Sequence, residues 1–280
     1  MLNPRLTFTT LFLAVFLVLA LGVSPAASFS DPFTSWSLSL DNANKMTVPN
    51  YLNVNGIGYI ENTPTGPGSF TFKEYAAFQA TTNNFGEFIL DYFEGYQLTG
   101  SLYGEGVVNS GQFAFEGGTL DLFVSSSRTY GTTADDFFGS QSGTKIASFD
   151  IVSGSGFTNP DTTPIGSVNT QFESTFLLPG YFFDPYGNDI ALQSYPIEWL
   201  FALSNVTASY NVPLPGNLRF ERFEQALFDS YGIVAEDDVP FSFYITNSGE
   251  FTIGVVPEPS TAFLLGTGLL SLGLIARRRR

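Results

Sequence analysis

Short runs in which apolar and polar side chains alternate with period two recur along most of this chain. A chain patterned in this way can bury one face of a strand but not one face of a helix. Across residues 35–41, Trp36, Leu38 and Leu40 alternate with Ser37 and Ser39. Phe113 and Phe115 in 112–116, then Leu120, Leu122 and Val124 in 119–125, flank Gly117-Gly118, which has the composition of a two-residue hairpin turn. Phe241, Phe243 and Ile245 are matched by Phe251, Ile253 and Val255 across Asn247-Ser248-Gly249, a second expected hairpin. Further strands are expected at 69–72, 76–80, 85–92, 96–103, 145–152, 172–178 and 204–212, with longer loops around 62–68, 131–143, 154–166 and 179–189. The expectation is an all-β domain, an antiparallel β-sandwich or barrel-like fold with at most one or two short helices. One helix has its signals in place: Asn217 as the cap, Phe220, Phe223, Leu227 and Phe228 on one face, and Gly232 just past the end.

Two absences bound the chemistry. The 280 residues contain no cysteine, so the fold is held by burial and backbone pairing, for which 30 Phe and 13 Tyr supply large apolar areas. They contain no histidine either. Without His or Cys there is no Ser-His-Asp or Cys-His triad, no imidazole base and no ordinary zinc or copper site. A carboxylate pair of the glycosidase kind or a lysine-assisted nucleophile remains. No motif selects two acids from the many present, and Glu198 beside Trp199 is the best candidate for a desolvated one. No catalytic residue is assigned, and a non-enzymatic protein is expected.

The two ends carry processing signals. Near the C-terminus stand Pro257, Glu258 and Pro259, then an apolar run over 262–276, then Arg277, Arg278, Arg279 and Arg280. The prolines favour an accessible extended peptide, and the arginines stop the apolar run on the cytoplasmic side. Fifteen helical residues span roughly 22 Å against about 30 Å of hydrocarbon, a marginal anchor suited to a transient one. This arrangement resembles the PEP-CTERM sorting signal of exopolysaccharide-producing Gram-negative bacteria. The resemblance implies Pro257, Glu258 and Pro259 as the recognition site of a membrane-embedded exosortase, 262–276 as the membrane helix and the four arginines as the membrane stop. At the other end, Arg5, the apolar stretch 11–23 and small residues at 24–28 form an expected signal peptide, with signal peptidase as a second processing partner. The chain thus divides into a signal peptide (1–28), a β-rich ectodomain (29–255) and the sorting signal (256–280).

Arg5 and the four terminal arginines account for five of the 11 basic residues, so the ectodomain holds six against 25 acids, a formal charge of −19. Such a surface repels nucleic acid and anionic lipid, and it attracts divalent cations, basic proteins or neutral glycans. Asp184, Asn188 and Asp189 share a Pro- and Gly-containing loop and are the candidates for calcium, although they do not follow the EF-hand pattern; no other cofactor is expected. Tyr186 in that loop is the candidate glycan contact. The layout from Gly66-Pro67-Gly68-Ser69-Phe70 through 115–123 to 148–156 loosely resembles flocculation-associated PEP-CTERM proteins. That resemblance implies a surface or matrix protein acting by adhesion in exopolysaccharide-associated cell aggregation, with exopolysaccharide or neighbouring surface proteins as partners after a transient stay in the inner membrane. The alternatives are a carbohydrate-active enzyme using a carboxylate pair and a purely structural, self-associating matrix protein.

Overall fold

The computed structural model describes residues 32–158, 165–193, 197–209, 217–234 and 242–255, with the backbone alone described at 158, 165–166, 197–209, 247 and 255. The expected signal peptide and the sorting signal with its Pro257, Glu258, Pro259 and four terminal arginines lie outside these residues.

Eight long strands close into an antiparallel barrel. They are β3 (Leu52–Gly66), β4 (Ser69–Asn83), β5 (Gln97–Asn109), β6 (Gln112–Ser125), β7 (Thr144–Thr158), β8 (Ile165–Leu177), β10 (Ile197–Ser209) and β11 (Phe243–Val255). Each pairs with the next along this series, β8 pairs with β10, and β11 returns to β3, so no barrel strand has a free edge. A second, three-stranded sheet is made of β1 (Ser35–Leu38), β2 (Met46–Pro49) and β9 (Phe182–Phe183), in the order β2-β1-β9. Its Trp36, Leu38, Met46, Val48 and Phe182 belong to the same buried cluster as the barrel interior and cap one end of it. Helix is confined, among the described residues, to two four-residue turns, α1 (Ile89–Tyr92) and α2 (Asp135–Phe138), a short 3-10 turn at Ile190–Leu192, and the 14-residue α3 (Leu218–Tyr231).

The interior of an eight-stranded barrel is just wide enough to be filled by side chains. Here phenylalanines from some strands lie over glycines of others. A Cβ added at Gly104 would lie 2.6 Å from Phe115 Cε1, and one at Gly154 would lie 2.7 Å from Phe115 Cδ2. Phe78 sits over Gly56 and Phe113 over Gly156 in the same way. Among the described side chains the outer wall is mainly polar, with Lys73, Glu105, Glu116, Lys145, Asp150 and Glu173 exposed along the strands. That is the reverse of a membrane-spanning barrel, whose apolar band faces outward.

One sector of the outer wall is apolar because α3 covers it. Ile57, Tyr59, Tyr75, Ala77 and Tyr244 form a second buried cluster with Phe223, Ala226 and Leu227 of α3 and with Phe137 and Phe138 of α2. The helix begins where expected, with Asn217 Oδ1 accepting from the Arg219 amide at 3.2 Å, and stops at Gly232 with φ of 70°. Of the four residues expected on its buried face, Phe223 and Leu227 are buried, Phe220 packs at the margin and Phe228 is exposed. Ala226 takes the remaining place, because a small residue lets the helix approach the sheet closely.

Several local expectations are corrected. Gly117-Gly118 is not a turn: β6 runs straight through it. Glu105 pairs with Gly117 and Gly106 with Phe115, leaving Glu116 as the extra residue of a β-bulge, and Gly118 is needed there because its φ is 145° and a Cβ would strike the Tyr103 carbonyl. Asn247-Ser248-Gly249 likewise lies within the continuous β11, opposite a register shift in β10 between Leu203 and Asn205. The actual hairpin turns are Pro67-Gly68, with Gly68 at φ 70°, and Ser110-Gly111, with φ of 51° and 81° as a left-handed two-residue turn demands. The stretch 85–92 is no strand. Asn83 Oδ1 accepts from the amides of Phe85 and Glu87, both at 3.0 Å, and turns the chain into α1.

Candidate functional site

The last strand sets where the tail begins. β11 is paired to its end, with Val255 opposite Ile197 of β10. On its other side, beyond the reach of β3, Pro32 bridges Gly254 and the Phe33 amide donates to the Ile253 carbonyl at 2.8 Å. The first and last described residues therefore leave the barrel side by side, at the end capped by the small sheet. Val256 alone separates Val255 from Pro257, so the proline motif follows the barrel wall with almost no spacer.

The same end carries the loop that holds the other sequence-derived candidates. Asp184 is buried, and its carboxylate organises the loop: Oδ1 accepts from the amides of Tyr186 and Asn188, each at 2.8 Å, and Oδ2 from the Asn188 side-chain amide at 2.9 Å. Asp189 Oδ1 accepts from the Ala191 amide at 3.0 Å, capping the 3-10 turn, and Oδ2 from the Gly180 amide at 2.6 Å. Asp184 and Asn188 are thus brought together, while Asp189 is engaged separately, by the Gly180 and Ala191 amides. All four carboxylate oxygens are in use as turn acceptors. Tyr186 stands exposed at the tip. Glu198 and Trp199 lie on β10 with their side chains outside the described residues.

One group was not singled out by sequence reasoning. Glu74 lies on β4 in alternation with Phe72, Ala76 and Phe78, all part of the barrel's interior cluster, while Tyr75 and Ala77 face the helix outside. Its neighbours across the sheet are Ile60 and Gly104, and only 4% of its surface is exposed. Burial pushes its carboxyl up from 4.5 to about 7. Glu74 and Asp184 are the buried acids among the described residues. Asp184 is occupied by its loop, so Glu74 has no second buried carboxylate near it within the described interior. The signal was present in the sequence: Phe72, Glu74, Ala76 and Phe78 have even spacing, but expecting two strands, 69–72 and 76–80, placed Glu74 in a gap that does not exist.

Among the described residues no helix is long and apolar enough to cross a membrane, and no group of three or more acidic residues is placed to hold a metal ion. Residues 255–280 match the PEP-CTERM protein-sorting motif, which carries with it export and processing by an exosortase. No curated protein and no solved structure matches the chain.

Proposed function

We propose that a barrel delivered by a PEP-CTERM sorting signal works without catalysis, at the surface or in the extracellular matrix of a Gram-negative bacterium, by adhesion in exopolysaccharide-associated aggregation. The observation that carries the reading is the junction at Val255. A self-contained barrel ends where the sorting motif begins, so cleavage near Pro257, Glu258 and Pro259 would release it whole. The filled interior supports attachment over turnover, because phenylalanines occupy the space in which a substrate would be enclosed. Contacts would then be made from outside, with Tyr186 as the exposed ring offered to a glycan, and weak contacts would gain strength through many displayed copies. Calcium would bridge the acidic outer surface to anionic polymer, and the loop of Asp184, Asn188 and Asp189 is the one that also carries Tyr186.

The raised pKa of Glu74 is the one observation favouring a carbohydrate-active enzyme, since a general acid needs such a value. One experiment separates the two readings. The processed protein is incubated with the host's exopolysaccharide and with a glycan array, with and without calcium, and both retention and polymer length are measured. Retention without shortening is expected, and retention should fall in Tyr186→Ala. Shortening that disappears in Glu74→Gln would overturn adhesion in favour of hydrolysis.

A further inference from the structure

Among the described residues, five large apolar side chains are exposed on two connections at the barrel end from which the chain departs for its anchor. Phe85, Phe88 and Tyr92 are 74%, 59% and 40% exposed on the connection between β4 and β5, and Tyr186 and Leu192 are 89% and 71% exposed on the connection between β8 and β10. Both connections lie at the end where β11 terminates, because β4 finishes at Asn83 opposite Leu52, whose other partner is Phe251. They are joined through the turn between β1 and β2. The Tyr92 hydroxyl donates to the Lys45 carbonyl at 2.8 Å, and Lys45 Nζ lies 3.4 Å from the centre of the Phe183 ring, next to the Tyr186 loop. The Asn83 side chain donates to the Thr47 carbonyl at 3.2 Å, tying the first connection to the same small sheet.

We propose that this end of the barrel is a membrane-facing surface, which rests on the lipid bilayer for as long as the sorting signal anchors the chain. The proposal rests on the sorting reading, and the chain length supplies its geometry. Seven residue steps separate Val255 from Ala262, the first residue of the apolar run, and seven steps span at most about 25 Å when fully extended. The rim is therefore held within that distance of the lipid, and Pro32 beside Gly254 brings the start of the described ectodomain to the same point. Held so close, even a weak interfacial preference is expressed, because docking is no longer limited by dilution. Phenylalanine, tyrosine and leucine at a rim are the side chains that partition to a membrane interface. Asp41, Glu87, Asp91, Glu94, Asp184 and Asp189 at this end outnumber Lys45 and Arg128, so the surface suits a zwitterionic bilayer better than an anionic one.

The chain contains no cysteine, which makes single-site labelling clean. Residues 29–280 are reconstituted into phosphatidylcholine vesicles as variants carrying one cysteine at Phe85, Leu192, Ser110 or Leu270, each labelled with an environment-sensitive fluorophore. Spin-labelled lipid chains then serve as quenchers. Labels at 85 and 192 are expected to be quenched several-fold more than the label at 110, which lies on the turn at the opposite end of the barrel, and exchanging half the lipid for phosphatidylglycerol at low salt should weaken that difference. Quenching at 270 with 85 and 192 no different from 110 overturns the proposal while leaving the anchor intact. Absence of quenching at 270 instead refutes the anchor, and the proposal falls with it. Far-ultraviolet circular dichroism of each variant confirms that the labelled chains retain the barrel.

Discussion

Removing the charge from Glu74 should make the protein more stable at neutral and alkaline pH, the reverse of what is expected when an acid held in a salt bridge is neutralised. The carboxyl is buried against Ile60 and the Gly104 backbone, with a pKa raised from 4.5 to about 7 in the fold. Below about pH 4.5 Glu74 is protonated in both folded and unfolded chains and adds no pH-dependent cost. Between 4.5 and 7 the unfolded chain releases the proton and the folded chain retains it, so stability falls as the pH rises. Above 7 both are ionised and the loss is complete. At about 1.4 kcal/mol for each pH unit across that window, the ionised carboxylate destabilises the fold by about 3 kcal/mol at pH 8. In a domain of this size 1 kcal/mol moves Tm by about 2–4 °C, so Glu74→Gln should melt on the order of 6–12 °C above wild type at pH 8 and close to it at pH 4.5. Thermal melts of the two proteins followed by circular dichroism from pH 4.5 to 8.5 isolate this group, since every other carboxylate is common to both. Glu105→Gln, an exposed change on the neighbouring strand, should track wild type. Curves for wild type and Glu74→Gln that stay parallel across the range would refute the placement of an ionisable group in the barrel interior.

The ring of Phe115 occupies the space over Gly104, so Gly104→Ala should cost about 1–3 kcal/mol in urea denaturation, and Phe115→Leu in the same chain should recover part of that loss. Recovery is the discriminating result, because two independent defects would add. Asn217→Ala removes the oxygen that accepts from the Arg219 amide and should cost about 1 kcal/mol, with Asn217→Asp close to wild type. In the native host, intact-mass measurement of the released protein should show a chain lacking residues 262–280, and replacing Pro257 and Pro259 should leave the full tail attached and the protein in the membrane fraction.

Much of this protein was determined within stretches of ten or twenty residues. Period-two alternation around Trp36, Phe113 and Phe251 requires strands whatever the partner, because side chains on a pleated backbone have no other way to share a buried face. The cap at Asn217 and the stop at Gly232 bracket α3 for equally local reasons. The sorting signal was legible for the same cause: proline motif, apolar run and arginines act through their order along the chain and need no folded partner. What the sequence left open depends on pairing between distant segments. Gly117-Gly118 has the composition of a turn, and it became a bulge only because β5 runs past it on one side. Closure into a barrel required β8 to find β10 and β11 to find β3, pairings that no local pattern specifies. The burial of Glu74, the apolar sector of outer wall beneath α3 and the pairing of Pro32 with Gly254 at one rim follow from that closure. Alternation states only that two faces differ, and the assembled sheet decides which face is turned inward.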